Sequence, residues 1–196
     1  MLTQAGREQK DRHLPTVMMD NFIRRLLAPP KKKISGFIRT GSVVADLGCG
    51  PGYFTIPMAE LVGDGGKVYA VDSDLKLINA LQAKSAARGL QNVIEAHTAS
   101  AADMEFTPDG AVDFVFANGL LCCMADHMGA VEEIKRVLKP CGRAYISVTK
   151  VLRKSDSKSV RREEWDQILE GFSVEEKHEG LTNRWAIIAV QPNVAG

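Results

Sequence analysis

The sequence predicts an α/β fold: a doubly wound, mainly parallel sheet with helices on both faces, preceded by a helical cap. Three observations point there. Apolar runs of strand length alternate with stretches of helical periodicity from Ser42 to Val190. The first of these runs ends in a glycine-rich turn, Gly48-Cys49-Gly50-Pro51-Gly52. The chain has 196 residues, 45% hydrophobic and 25% charged, which suits one ordinary globular domain with at most an appendage.

The elements follow in order. Val17 to Leu27 places Met18, Phe22, Ile23 and Leu26 at helical spacing, with Arg24 and Arg25 between them, and Pro29-Pro30 stops that helix. Lys31 to Ile38 reads as a second short helix with Ile34, Phe37 and Ile38 inward. Val43 to Leu47 is the first strand, followed by the glycine turn and a helix to about Leu61. Gly63-Asp64-Gly65-Gly66 turns the chain into the strand Lys67–Val71, which ends at Asp72. Leu75 to Arg88 is a helix closed by Gly89. Val93–His97 and Val112–Ala117 are strands, and His127–Leu138 is a helix stopped by Pro140 and Gly142. Ala144–Val148 is a strand, 151–159 a polar basic loop, and Arg161–Glu170 a helix. Ser173–His178 and Trp185–Val190 form a terminal hairpin.

Composition narrows the function classes. With 25 Lys+Arg against 24 Asp+Glu the net charge is +1, which argues against a protein whose main task is gripping nucleic acid. Cys49, Cys122, Cys123 and Cys141 form no CxxC pair, so no metal site is expected. Four such thiols suit reduced residues of a cytoplasmic protein. The N-terminus has no signal-like apolar region, and no run is long and apolar enough to span a membrane.

A glycine-rich strand–helix turn alone fits NAD, a phosphate or S-adenosylmethionine. The spacing Gly48-x-Gly50-x-Gly52 puts bulky Tyr53 where the dinucleotide fingerprint wants its third glycine. Asp46, two residues before the loop, would repel a pyrophosphate and favour a ligand with an ammonium group. No GK[ST] follows, which excludes a P-loop. Asp72 suits a ribose diol, a feature shared with NAD domains. It also reads as a turn residue, with Asp74 capping the next helix, and the two roles are compatible.

The segment Val-Val-Ala-Asp-Leu-Gly-Cys-Gly-Pro-Gly-Tyr-Phe-Thr at 43–55 resembles the first motif of the class I S-adenosylmethionine-dependent methyltransferases. It is most similar to the ubiquinone/menaquinone-biosynthesis C-methyltransferase-like group. Val-Tyr-Ala-Val-Asp at 68–72, Val-Asp-Phe-Val-Phe-Ala-Asn at 112–118 and Glu-Ile-Lys-Arg-Val-Leu-Lys-Pro-Cys-Gly-Arg at 133–143 match further motifs in family order. The resemblance implies a Rossmann-like sheet of order 3-2-1-4-5-7-6 with strand 7 antiparallel. It gives residues 1–40 the part of an N-terminal cap or lid and 41–191 that of the cofactor-binding methyltransferase domain. It implies that Asp46, Gly48 and Gly50, with Cys49 and Tyr53 of the same loop, line the methionine end. Asp72 would take the ribose, Ser73 would lie beside the adenine, and Ser100 and Ala101 would hold the adenine edge. Asn118 would touch the methionine end through its backbone carbonyl. Relatives carry Asp where Ser100 stands, which leaves Asp103 as a substitute. They carry Gly where Cys141 stands, and Pro140 before a non-glycine favours a type I turn there.

Methyl transfer from a sulfonium is an in-line displacement, which needs alignment, dryness and, for many acceptors, a base. His127 is the catalytic candidate, and its plainer reading is the first residue of its helix. His97 reads as packing, and His13 would lie on the N-terminal segment. Asn-Pro-Pro-Tyr is absent at 118–121, which removes the signature used on adenine amines and glutamine amides. Cys122-Cys123 reads either as two small apolar residues or as a thiol pair for a soft metalloid. Arg24, Arg25 and Lys31-Lys32-Lys33 read as a solvated face of a lid or as a dock for RNA or an acidic partner. The expectation is methyl transfer to a small-molecule acceptor. Two rivals stand beside it: an RNA or protein methyltransferase using the basic segment, and a non-catalytic binding protein.

Overall fold

The computed structural model describes residues 30–150 and 160–190. The expected helix at 17–27, with Arg24 and Arg25, His13 and the basic loop 151–159 lie outside the described residues. Within them the elements are α1 (Pro30–Ile34), β1 (Val43–Leu47), α2 (Thr55–Val62), β2 (Lys67–Asp72), α3 (Leu75–Ala86), β3 (Ile94–Thr98) and β4 (Val112–Asn118). A single 3-10 turn (Leu121–Cys123) precedes α4 (His127–Val137), β5 (Leu138–Thr149), α5 (Arg162–Leu169), β6 (Phe172–Glu179) and β7 (Asn183–Val190).

The seven strands form one sheet of order β3-β2-β1-β4-β5-β7-β6. The first five are parallel, and β7 runs antiparallel to both β5 and β6. Side chains alternate along each strand, so each face builds its own core. On one face Val44, Val68, Phe114 and Phe116 meet Ile34 of α1, Ile56 and Met58 of α2 and Leu81 of α3. On the other, Leu47, Val71 and Val115 meet Ile134 of α4 and Trp165 and Ile168 of α5. The expected architecture is therefore present, strand order and antiparallel strand included.

Local chemistry explains the boundaries. Pro30 opens α1, because its fixed φ and missing N–H suit the first helical position. The helix is shorter than expected, but Ile34 and Ile38 are buried as expected. Asp74 caps α3 by accepting the Lys76 N–H at 2.8 Å. Gly89 closes the helix with φ +69°, and the Gly89→Ala86 and Leu90→Ser85 backbone bonds are those of a Schellman motif.

Two expectations need correction between Leu138 and Arg143. The strand does not wait for Ala144. Leu138 already pairs with Val112, the register then shifts, and Arg143 pairs with Phe114. The punctuation Pro140–Gly142 therefore forms a bulge inside β5, not a turn before it. The turn is also not type I. Cys141 has φ +64°, whereas the third residue of a type I turn has negative φ. The tight fold at Gly142, where a Cβ would stand 2.8 Å from the Lys139 carbonyl oxygen, accompanies this left-handed residue.

Candidate functional site

The site lies at the carboxyl edge of the parallel strands, where β1 and β4 are neighbours and the chain leaves them toward opposite sides of the sheet. The Gly48–Gly52 loop is tied to β2. The N–H groups of Gly48 and Cys49 both donate to the Val71 carbonyl, at 2.8 and 3.0 Å. Gly52 has φ +91°, and a Cβ there would stand 2.6 Å from Leu81 Cδ1, so only glycine lets the loop press onto α3. From α3, Lys84 Nζ donates to the Pro51 carbonyl at 2.9 Å. Cys49 and Tyr53 are buried, and burial pushes the Cys49 thiol well above its ordinary pKa.

Two carboxylates flank this loop. Asp46, on β1 opposite Phe116 of β4, is only 3% exposed. Its Oδ2 accepts the Thr55 hydroxyl at 2.6 Å from the first turn of α2. Among the described residues no cation pairs with it. Burial raises its pKa to about 7, the nearby Asp72 charge adds to the rise, and the Thr55 hydrogen bonds hold it down. Asp72, at the end of β2, is half-buried. Its Oδ2 accepts the Gly50 N–H and its Oδ1 the Asp74 N–H, each at 2.9 Å. These two bonds fix the carboxylate beside the glycine loop.

The remaining cofactor candidates lie along the same edge. Ser73 is exposed next to Asp72. The Ala99 N–H donates to the Asp72 carbonyl at 3.1 Å, which sets the segment after β3 beside β2. There the Ser100 hydroxyl accepts the Ala102 N–H at 3.2 Å, Ala101 is buried and Asp103 is exposed. Asn118 ends β4, and its Oδ1 accepts the Ser147 hydroxyl at 3.2 Å and Lys33 Nζ at 2.6 Å. The Lys33 ammonium stands 4.4 Å over the Tyr145 ring and 5.7 Å from that of Phe116, a cation–π seat.

Three residues of this edge were not singled out in the sequence as parts of the site. Thr55 supports Asp46, Ser147 supports Asn118, and Lys33 covers Asn118 from α1. The helix start nine residues after Asp46 is a readable signal for Thr55. No local signal joins Lys33 to Asn118, which are 85 residues apart.

Two described histidines, His127 and His97, are engaged in contacts of their own. His127 is buried against α5, with Nδ1 2.5 Å from Glu164 Oε1 and Nε2 3.1 Å from the Met124 carbonyl. Both ring nitrogens are therefore engaged by protein groups, one on α5 and one on the loop before α4. His97 stacks on Phe106 with ring centroids 3.6 Å apart and meets Glu95 at 2.8 Å, a packing role. Chemically, the arrangement suits a ligand with a cationic group near Asp46 and vicinal hydroxyls near Asp72.

Comparison with known proteins bears on this arrangement. Residues 45–146 match the family model described as a methyltransferase domain. A demethylmenaquinone methyltransferase from Geobacillus stearothermophilus is 36% identical over 105 residues, which cover 54% of this chain and 44% of that protein. A nocamycin O-methyltransferase from Saccharothrix syringae is 34% identical over 105 residues, 54% of this chain and 37% of its own length. The matched stretch spans less than half the length of either curated relative. Among solved structures, a SAM-dependent methyltransferase from Aquifex aeolicus superposes with a TM-score of 0.76 at 27% identity, over 89% of this chain and 96% of that one.

Proposed function

The chain belongs to the methyltransferase-domain family of class I S-adenosylmethionine-dependent methyltransferases, and from that premise we propose that it transfers a methyl group from S-adenosylmethionine to a small organic acceptor. The observation that carries this reading is Asp46. A carboxylate desolvated in the core, with no cation paired to it among the described residues, is costly unless a ligand brings the charge. The ammonium of the methionine end is such a charge.

The other residues fit the same group. Asp72, held at the end of β2 by the Gly50 and Asp74 amides, takes the ribose diol. Gly48, Cys49, Gly50 and Tyr53 form the wall beside the methionine end. Ser73, Ser100 and Ala101 border the adenine, and the Asn118 carbonyl faces the methionine end. When bound, the cofactor supplies an electrophilic methyl on a sulfonium. The chain's own part is to hold that methyl in line with the acceptor and to keep water out. Lys33, seated over Tyr145 and bonded to Asn118, closes the edge from the N-terminal side. Residues 1–40 serve as the cap and 41–191 as the methyltransferase unit.

His127 serves in this reading as a structural pin between α4 and α5, because both its nitrogens are engaged. Two of the curated relatives are named as a demethylmenaquinone methyltransferase and a nocamycin O-methyltransferase, which supports a small organic acceptor. Lys31 pairs with Glu60 at 2.7 Å and Lys33 is seated on the aromatic edge, which favours a cap over an RNA dock. Four free thiols suit the cytoplasm, and among the described residues no helix is long and apolar enough to cross a membrane.

The test is methyl-labelled S-adenosylmethionine incubated with the protein and a cell extract, later split into small molecules, RNA and protein. Label in the small-molecule fraction is expected. Label confined to RNA or protein, or cofactor binding with no transfer, would replace this reading with one of its rivals.

A further inference from the structure

Cys122 and Cys123 stand on the 3-10 turn that follows β4, and the proposed methyl transfer leaves both unused. Leu120 of the same loop abuts the glycine loop: a Cβ on Gly48 would stand 3.1 Å from its Cδ1. Cys122 is 6% exposed, with Sγ 3.3 Å from the Gly119 carbonyl, while Cys123 is partly exposed and reachable from solvent. The two side chains are hydrogen-bonded to each other, and Thr149 at the end of β5 meets Cys122 through its backbone and its side chain. These contacts, the Cys123 bond foremost, bring the Cys122 pKa down to about 6 against the opposing effect of burial. The turn therefore holds two consecutive thiols together, one buried and one partly exposed.

The number of ligands selects what such a pair holds. A structural zinc site needs about four donors. Among the described residues no group of three or more His, Cys, Asp or Glu is placed to hold a metal ion. Two sulfurs alone suit a soft centre with two open positions and its third valence filled by carbon. We propose that Cys122 and Cys123 form a dithiol site for monosubstituted trivalent arsenicals. With an arsenoxide the step is a condensation: two As–S bonds form, two S–H bonds break, and the oxygen leaves with both protons as water. Arsenic stays trivalent and no oxidant is needed.

Phenylarsine oxide is the probe, added to the full chain and followed by intact mass and by titration. One equivalent binds, with loss of one water, resists washing with a monothiol and is removed by a small vicinal dithiol. Cys123→Ser, at a partly exposed position, lowers the affinity by roughly 10²-fold or more through loss of the chelate. Cys141→Ser, at the exposed and distant thiol, changes nothing. Should Cys122→Ser fail to fold, Cys123→Ser still decides the matter. Unchanged affinity in Cys123→Ser, or lost affinity in Cys141→Ser, overturns the proposal.

Discussion

Arg136 and Asp46 are charged groups drawn into the protein, Arg136 partly and Asp46 almost wholly, and the protein treats them in opposite ways. Arg136 on α4 is saturated. It donates to both oxygens of Glu133, to Asp109 and to the Met104 and Thr107 carbonyls, at 2.6 to 2.9 Å. Glu133 in turn accepts the Met104 N–H at 2.7 Å, and the Arg136 bonds hold its pKa below the ordinary carboxylate range. This network pins the segment from Met104 to Asp109 against α4. Asp46 is more deeply buried, has one hydroxyl partner and no cation among the described residues, and its pKa is raised. A saturated charge fixes the fold, whereas a desolvated carboxylate with no cation among the described residues is a cost that protonation or a cationic ligand relieves.

Substitutions separate the two roles. Arg136→Ala has the largest expected effect: a stability loss of roughly 2–4 kcal/mol, read by denaturant unfolding, because two carbonyls and a buried-side carboxylate lose their donor. Its affinity for S-adenosylmethionine stays within about twofold, since Arg136 lies away from the crevice. Asp46→Asn does the reverse. Cofactor affinity falls roughly 30- to 100-fold, the worth of a charge-assisted bond. The unliganded protein meanwhile gains stability near neutral pH. The sign follows from linkage. Asp46 has a folded pKa of about 7 against 3.8 when free, so its stabilising protonated form is complete below the free value and lost as pH climbs to 7. The advantage of Asn therefore grows across that window. Thr55→Val is the smallest change. It removes the hydroxyl that holds Asp46 down and moves the pH midpoint of cofactor binding upward by about one unit, read from affinity against pH.

The fold was legible because periodicity and punctuation agreed along most of the chain. Val43–Leu47 and Val112–Asn118 read as buried strands, and Asp74 and Gly89 as the ends of α3. The reading failed where pairing overrode punctuation. Leu138 joins the sheet through Val112, a partner its own neighbourhood does not announce, and Cys141 adopts a conformation that glycine prefers. The sequence reads Asp46 and Asp72 as carboxylates at strand ends beside the glycine loop, and the structure places both there. Asp46's isolation was not legible, since burial and the lack of a cation are tertiary facts. Lys33 shows the same limit from the other side. In the sequence it is one of three lysines in a row, and only the fold seats it over Tyr145 and Asn118.

Calorimetric titration of S-adenosylmethionine between about pH 5 and 8 tests the role of Asp46 most directly. In the unmodified chain affinity rises by up to roughly tenfold per pH unit and levels off above about 7, as the carboxyl ionises. In Asp46→Asn the same curve is flat and low. A flat curve in the unmodified chain, with equal affinity in Asp46→Asn, would show that Asp46 does not hold the cofactor.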